Sequence, residues 1–299
     1  MTEPCEGGRV GPVRAFVRRI PPLRRAAIRT VRWGDRTAAQ THIKEFWIYS
    51  RRSGRRLVGT DHDPNVRFII YGQGRSGSSV LLDLIGSHPD VYCESEIFNR
   101  KVAARLIWPM HYLQARAALS PQPVYGCKMK IYQMTDDQSI EDPHRFMQDL
   151  HSDGWKVIHL VREDLFRKAL SLVVAETRGQ FLDRRQDSGS GVSTIRIDPA
   201  RLAEAMRERR SADEAEQAAL EGIPHTRVTY ESDLLDAANH QAVSDRVLAY
   251  LGLESAPVET RYVKTSPSRV SDYVSNYAEM CEFLSQTELS SYLPATEPA

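Results

Sequence analysis

Cysteine is scarce in this chain: four in 299 residues, at 5, 93, 127 and 281. No two form a CxxC pair, which excludes a zinc-finger spacing and a disulfide-stapled secreted scaffold, and reduced thiols in a cytoplasm are expected. An excess of one charge is also missing, since 40 Lys and Arg face 39 Asp and Glu. A uniformly basic nucleic-acid binder and an acidic disordered chain are thereby set aside. No run approaches the ~20 uninterrupted apolar residues that a bilayer span needs, and the apolar stretches are too short and Arg-interrupted for a secretory core. The nine histidines show no HExxH or other ligand spacing, so no metal is expected. A GxSxG elbow and any repeat of ~20 to 50 residues are absent as well. What is present, 41% hydrophobic and 26% charged residues, suits a soluble globular protein with a sizeable core.

The near-neutral total hides a polarity along the chain. Residues 1–60 hold 14 Arg and Lys against 4 Asp and Glu, a net +10, and the remaining residues carry −9. Between Val10 and Trp33 the pattern VGPVRAFVRRIPPLRRAAIRTVRW interleaves apolar residues with arginine, but Pro21 and Pro22 break any helix there. Residues 1–60 are therefore read as a flexible basic arm. It is either a solvated tail or a peripheral contact with an anionic membrane surface or acidic partner, in the second case at the inner membrane face. Residues 61–299 form the folded domain.

That domain opens with RFIIY, Arg67 to Tyr71, a short apolar run of the kind a strand buried on both faces requires. The glycine-rich GQGRSGSS follows at once. Val80, Leu81, Leu84 and Ile85 then recur at helical spacing until Gly86, His88 and Pro89 close the pattern. Further strands are expected at Val124–Ile131, Lys156–Val161 and Thr226–Thr229. Helices are expected at Asp142–His151, Leu165–Arg178, Pro199–Leu220 and Gln241–Leu251, with a loop over Gln180–Ser193. Such alternation predicts an α/β fold, a P-loop-like three-layer domain whose central parallel sheet is flanked by helices.

A strand, a glycine-rich turn and a helix together place backbone N–H groups and the positive end of a helix dipole against an anion. From Gly72 the segment satisfies the GxxxxG part of a nucleotide P-loop, but Ser78 stands where a kinase or ATPase needs lysine. In those enzymes the lysine reaches the β- and γ-phosphates, so its absence argues against γ-phosphoryl transfer. What remains is a nest of amides, the hydroxyls of Ser78 and Ser79 and the Arg75 guanidinium.

GRSGSS followed by VLLDLIGSHPDV resembles the 5′-phosphosulfate loop of sulfotransferases that use 3′-phosphoadenosine 5′-phosphosulfate (PAPS), closest in flavour to the bacterial trehalose and Nod-factor group. HLVREDLFRKALSL resembles that family's 3′-phosphate segment, VTYESDLL its strand and turn after the long helix, and VKTSPSRVSDYVSNYAEMCEFLSQTEL its C-terminal region. The likeness runs in the same order from about Arg67 to Tyr292. It implies PAPS as donor, with Arg75, Ser76, Gly77, Ser78 and Ser79 holding its 5′-phosphosulfate end. It further implies that Arg162 and Ser171 grip the 3′-phosphate, although the family's common spacing is eight residues and Arg162 precedes Ser171 by nine. Arg167 or Lys168 is the alternative there. Lys264 or Arg269 would support the same phosphate from the C-terminal turn.

Sulfonyl transfer to a hydroxyl needs a proton acceptor. The family arranges one where this chain reads Tyr92-Cys93-Glu94-Ser95-Glu96-Ile97-Phe98, so Glu96 is the first candidate for the general base and Glu94 the second. On a regular extended segment the two would face the same side, and their repulsion together with partial burial would raise one pKa toward neutrality. Lys128 and Lys130 alternate with apolar residues in GCKMKIY. One of them is expected as a cation near the sulfonyl group or the acceptor, unless that strand lies at a sheet edge.

The expected activity is transfer of the PAPS sulfonyl group to a hydroxyl of a small-molecule or glycolipid acceptor, without a metal and without nucleic acid. Two alternatives stand beside it: a P-loop kinase of a small molecule, and a non-catalytic protein that binds anions or a membrane surface. The acceptor would be chosen by Lys101–Pro123, with Trp108, Met110, His111 and Tyr112, and by Arg178–Pro199.

Overall fold

A computed structural model describes residues 45–53, 64–100, 102–103, 105–179, 194–262, 267 and 269–294. Most of the basic arm, the Gln180–Ser193 loop and Lys264 lie outside the described residues.

Five strands form one sheet: β1 (Val66–Tyr71), β2 (Val91–Glu96), β3 (Val124–Met129), β4 (Trp155–Val161) and β5 (His225–Thr229). Their order is β2-β3-β1-β4-β5 and every pairing is parallel. The α/β class expected from the alternation is therefore present, and the apolar run RFIIY occupies the middle of the sheet. β2 was legible only as an extended segment, because VYCESE has too few apolar residues to announce a strand. It serves as an edge, where a half-exposed polar strand is tolerated.

The period of two along β1 sorts the core into layers. Phe68 and Ile70 face one side with Leu81, Leu84 and Ile85 of α1 (Ser78–Gly86) and Val243, Val247, Leu248 and Leu251 of α6 (His240–Leu251). Ile69 and Tyr71 face the other, with Tyr112 and Leu113 of α2 (Pro109–Ala117) and Met147 and Leu150 of α3 (Pro143–Ser152). A separate apolar cluster joins α4 (Leu165–Arg178), α5 (Pro199–Ala219) and α7 (Tyr277–Ser285).

The polar termini of these helices follow from their caps. Asp142, Asp164 and Asp198 each accept a backbone N–H of the first turn, and Pro143 and Pro199 stand where a missing N–H costs nothing. α1 differs. Its N-cap is Gly77, which supplies no side-chain acceptor, and its first turn holds no acidic residue, so the leading N–H groups are not engaged by a cap.

Within the expected arm, residues 45–53 are helical and dock on the domain. Ile48 packs against the α2–α3 core, and the Glu45 carboxylate accepts the Ile107 N–H at 3.2 Å. In parallel sheets ligands gather beyond the carboxyl ends of the strands where the order reverses. Here that is the exit of β1, flanked by β3 and β4, and it holds the glycine-rich turn.

Candidate active site

The turn at 72–77 is held from every side. Gly72 lies so close to β4 that a Cβ would fall 2.2 Å from the Leu160 carbonyl oxygen, which leaves no room for another residue. Gly77 has φ +85°, and a Cβ there would meet the Tyr230 ring at 2.8 Å. Arg75, without glycine's freedom, nevertheless takes φ 70°. A bulky residue in the left-handed region costs roughly 1 to 2 kcal/mol and persists only where its surroundings dictate it.

Those surroundings are the residues expected to bind anions. Arg75 Nε donates to Ser171 Oγ at 3.0 Å, and Arg162 Nη1 donates to the Arg75 carbonyl at 2.9 Å. The Arg162 guanidinium lies 4.5 Å from the Tyr230 ring centroid, a cation–π stack. Glu231, beside Tyr230, accepts the backbone N–H groups of Glu163 and Asp164. Arg75, Arg162 and Ser171 are thus one constellation, nine-residue spacing included. Lys168, offered as an alternative grip, is 1% exposed and spent elsewhere: its Nζ lies 2.6 Å from Asp213 of α5. Arg167 pairs locally with Asp164 at the α4 N-terminus.

Across the turn stands Glu96, at the end of β2. Its Oε1 is 2.6 Å from Lys130 Nζ and 3.9 Å from Lys128 Nζ, and its Oε2 accepts from Gln133 at 2.8 Å and Asn99 at 3.2 Å. Burial disfavours the charge on Glu96, but the two ammonium groups and these donors outweigh it, and the pKa falls below the ordinary carboxylate value. For Glu96 the expected rise does not occur. Its premise fails as well, because a register shift between Glu94 and Glu96 interrupts the β2–β3 ladder and sends the two carboxylates to different partners. Glu94 is bound by the Arg116 guanidinium and accepts the Tyr125 hydroxyl at 2.7 Å.

Lys128 and Lys130 are 5% and 7% exposed on a strand and exit in the interior of the sheet, so no edge position explains them. Lys128 Nζ donates to Ser79 Oγ at 3.2 Å. Lys130 Nζ lies 3.5 Å from where a Cβ on Gly74 would stand. Both ammonium groups therefore lie between the turn and Glu96. Burial pulls the Lys128 pKa down to about 8, against the opposing pull of Glu96.

Sequence reasoning missed the support behind the turn. Gln73 Nε2 donates to Asp213 Oδ1 at 2.6 Å and to the Arg209 carbonyl at 3.0 Å, and Arg209 Nη1 donates back to Gln73 Oε1 at 3.2 Å. Asp213 joins Gln73 of the turn to Lys168 of α4. No local pattern marks an aspartate inside a long polar helix. One turn further, Glu216 is buried and its Oε1 has no hydrogen-bond partner. Burial raises its pKa to about 8, and burial lowers that of His159, 3.8 Å away, to about 4. Burial thus favours the uncharged form of both.

Beside the Glu96 side of the site, a cavity of about 380 Å³ is lined by Leu106, Ile107, Trp108, Met110, Ile140 and Phe146 among others. Gln138 forms part of its wall and ties Leu106 N–H to the Phe98 carbonyl, just past Glu96. Among the described residues no group of three or more His, Cys, Asp or Glu is placed to hold a metal ion, and no helix is long and apolar enough to cross a membrane. Chemically, amides, guanidinium and ammonium groups face an ionised carboxylate, an arrangement able to hold an anionic donor and take a proton from an incoming hydroxyl.

No protein-family model matches the chain, and no curated protein matches it. Among solved structures, the crystal structure of a sulfotransferase from Alicyclobacillus acidocaldarius aligns over 77% of this chain and 99% of its own, at 14% identity and a TM-score of 0.43.

Proposed function

We propose that the chain transfers the sulfonyl group of PAPS to a hydroxyl of an acceptor, a carbohydrate, lipid or other small metabolite, and releases adenosine 3′,5′-bisphosphate. The observation that carries this reading is the pairing of the turn with its opposite wall: Ser78 replaces the P-loop lysine, while Lys128 of β3 and Lys130 at its exit bring two cations onto the same turn, facing Glu96.

In this reading the acceptor oxygen attacks sulfur as its proton passes to Glu96, and the sulfur–oxygen bond to the nucleotide phosphate breaks. The charge that develops on the leaving phosphate oxygen meets the N–H groups of residues 76–79 and the serine hydroxyls, fixed donors that need no rearrangement. Lys130 turns from Glu96 toward the sulfonyl oxygens when the donor enters, and the carboxylate it leaves regains basicity. Arg162 and Ser171 hold the 3′-phosphate, with Lys264 as a further candidate, and Arg75, which donates to Ser171, joins that grip to the 5′-phosphosulfate turn. Glu94 takes no part in proton transfer, since Arg116 and Tyr125 occupy its carboxylate. A magnesium-dependent kinase is disfavoured by the same geometry, because the Ser79 hydroxyl that would bind the metal accepts from Lys128 instead.

Titration calorimetry with adenosine 3′,5′-bisphosphate and with ATP, each with and without magnesium, tests the reading. Binding of the bisphosphate at least tenfold tighter than ATP, without magnesium, is expected; equal or tighter ATP binding would overturn it.

A further inference from the structure

We infer that the helix at residues 45–53 is a docking face for an anionic lipid bilayer, a role that stands whether or not the chain transfers a sulfonyl group. Phe46 and Trp47 are the most exposed large apolar side chains described, at 53% and 62%. A loose tail could expose two aromatics by chance, but this helix is fastened to the domain. Glu45 is 3% exposed and accepts the Ile107 N–H, Ile48 enters the core, and the Tyr49 ring lies 6.4 Å from that of Trp108. Ile107, held beside the helix by the Glu45 bond and itself partly exposed, widens the apolar surface.

Charge selects the partner. Residues 44–56 contain five basic side chains, Lys44, Arg51, Arg52, Arg55 and Arg56, and one acidic, Glu45. That single carboxylate is turned inward, so the described outer face shows Phe46, Trp47 and Arg51. Aromatic side chains beside arginines are the composition that settles at a lipid headgroup boundary, where the ring enters the acyl edge and the cation meets phosphate. Residues 61–299, at −9, are repelled by an anionic surface, which orients this face toward it. A second copy of the helix brings the same sign of charge, and so do residues 1–43, which hold nine arginines against three acids. Neither complements Arg51. An acidic protein would satisfy the arginines but gives no reason for two exposed rings on a rigid support. Ile107 and Trp108 also line the 380 Å³ cavity, so a bilayer met by this face lies at the cavity's rim.

The test is co-sedimentation of the full chain with phosphatidylcholine vesicles, with and without phosphatidylglycerol. Binding only to the anionic vesicles, weakened by added salt, is expected, and the F46S/W47S double variant should bind about tenfold more weakly with an unchanged melting temperature. Failure of the wild-type chain to bind anionic vesicles would overturn the inference. So would equal binding by F46S/W47S, which would transfer the contact to residues 1–44. A melting temperature lowered in F46S/W47S would show that the chain covers these rings itself. A dimer lost in F46S/W47S, without vesicle binding, would give the face to a second copy, and capture by polyglutamate in place of vesicles would give it to an acidic protein.

Discussion

Arg75 and Ser171 stand 96 positions apart in the chain and 3.0 Å apart in the fold. The bond runs from a residue in the left-handed region to one on the second turn of α4, so the glycine-rich turn and the second anion site are one surface. Arg162 closes the arrangement by holding the Arg75 carbonyl, so Arg75 is tied at both side chain and backbone while it holds its positive φ.

Arg75→Gly separates strain from charge. Glycine adopts φ 70° without cost, so thermal stability should be unchanged or slightly higher. Adenosine 3′,5′-bisphosphate affinity should nevertheless fall by about 1.5 to 3 kcal/mol through loss of a charged hydrogen bond. Adding Ser171→Ala should cost less than the two single changes together, because they share one contact. Fully additive losses in calorimetry would mean that Arg75 and Ser171 bind separate groups.

Glu96→Gln should leave bisphosphate binding within about threefold and abolish turnover with labelled PAPS, since the amide keeps the hydrogen-bonding shape and loses the proton acceptor. Glu94→Gln should act differently. It breaks the pair with Arg116, partly buried at the foot of α2, and should lower the melting temperature more than the rate. Retained turnover in Glu96→Gln would move the base elsewhere.

Lys128 gives the site a pH dependence whose sign is set by its lowered pKa. The ammonium is intact below about pH 8 and lost as pH rises through it, so bisphosphate affinity should fall on the alkaline side with a midpoint near pH 8. Lys128→Arg should carry the affinity unchanged to about pH 10, because a guanidinium stays charged, and Lys128→Met should be weak and flat. A wild-type profile flat to pH 10 would remove Lys128 from the anion site.

The contrast between Glu96 and Asp213 marks what the sequence can disclose. RFIIY before GQGRSGSS announced a central strand, a turn and a helix because period and turn chemistry are local. Arg75, Ser171 and Arg162 followed from resemblance. A register shift, however, leaves no mark in Glu94-Ser95-Glu96, and past it Glu96, not Glu94, meets Lys130. Asp213 was invisible for another reason: its worth lies in Gln73 and Lys168, 140 and 45 positions away. The helix at residues 45–53 was absorbed into the arm by its basic composition, although Ile48 and Tyr49 fix it to the core.

Asp213 does two things, neutralising buried Lys168 and accepting from Gln73, and paired substitutions divide them. Lys168→Gln with Asp213→Asn removes both charges and keeps an oxygen for Gln73, so bisphosphate affinity should stay within about threefold. Lys168→Met with Asp213→Leu is equally neutral but leaves Gln73 only the Arg209 carbonyl as acceptor, and affinity should fall about tenfold while the fold survives. Equal affinities in the two pairs would reduce Asp213 to a packing role.

Glu216 makes a stability prediction independent of any ligand. Its folded pKa, about 8, is raised above the ordinary value of 4.5. The folded chain therefore keeps a proton that the unfolded chain has already lost between those values, and the contribution of Glu216 to stability is full below about pH 4.5 and is lost as pH rises toward 8. Facing Glu216 are Tyr71 and His159 from the sheet, with Asp213 and Arg209 from its own helix and Lys168 and Lys130 further off. Oε1 has no hydrogen-bond partner, and the cations of Lys168, Arg209 and Lys130 do not outweigh the cost of burying the charge. Glu216→Gln cannot ionise, and its unfolding free energy should match wild type near pH 5 and exceed it at pH 8 by a margin on the order of 2 kcal/mol. Parallel curves for the two proteins across that interval would mean that the carboxyl is ionised and solvated already, and that α5 opens to water where it meets Tyr71.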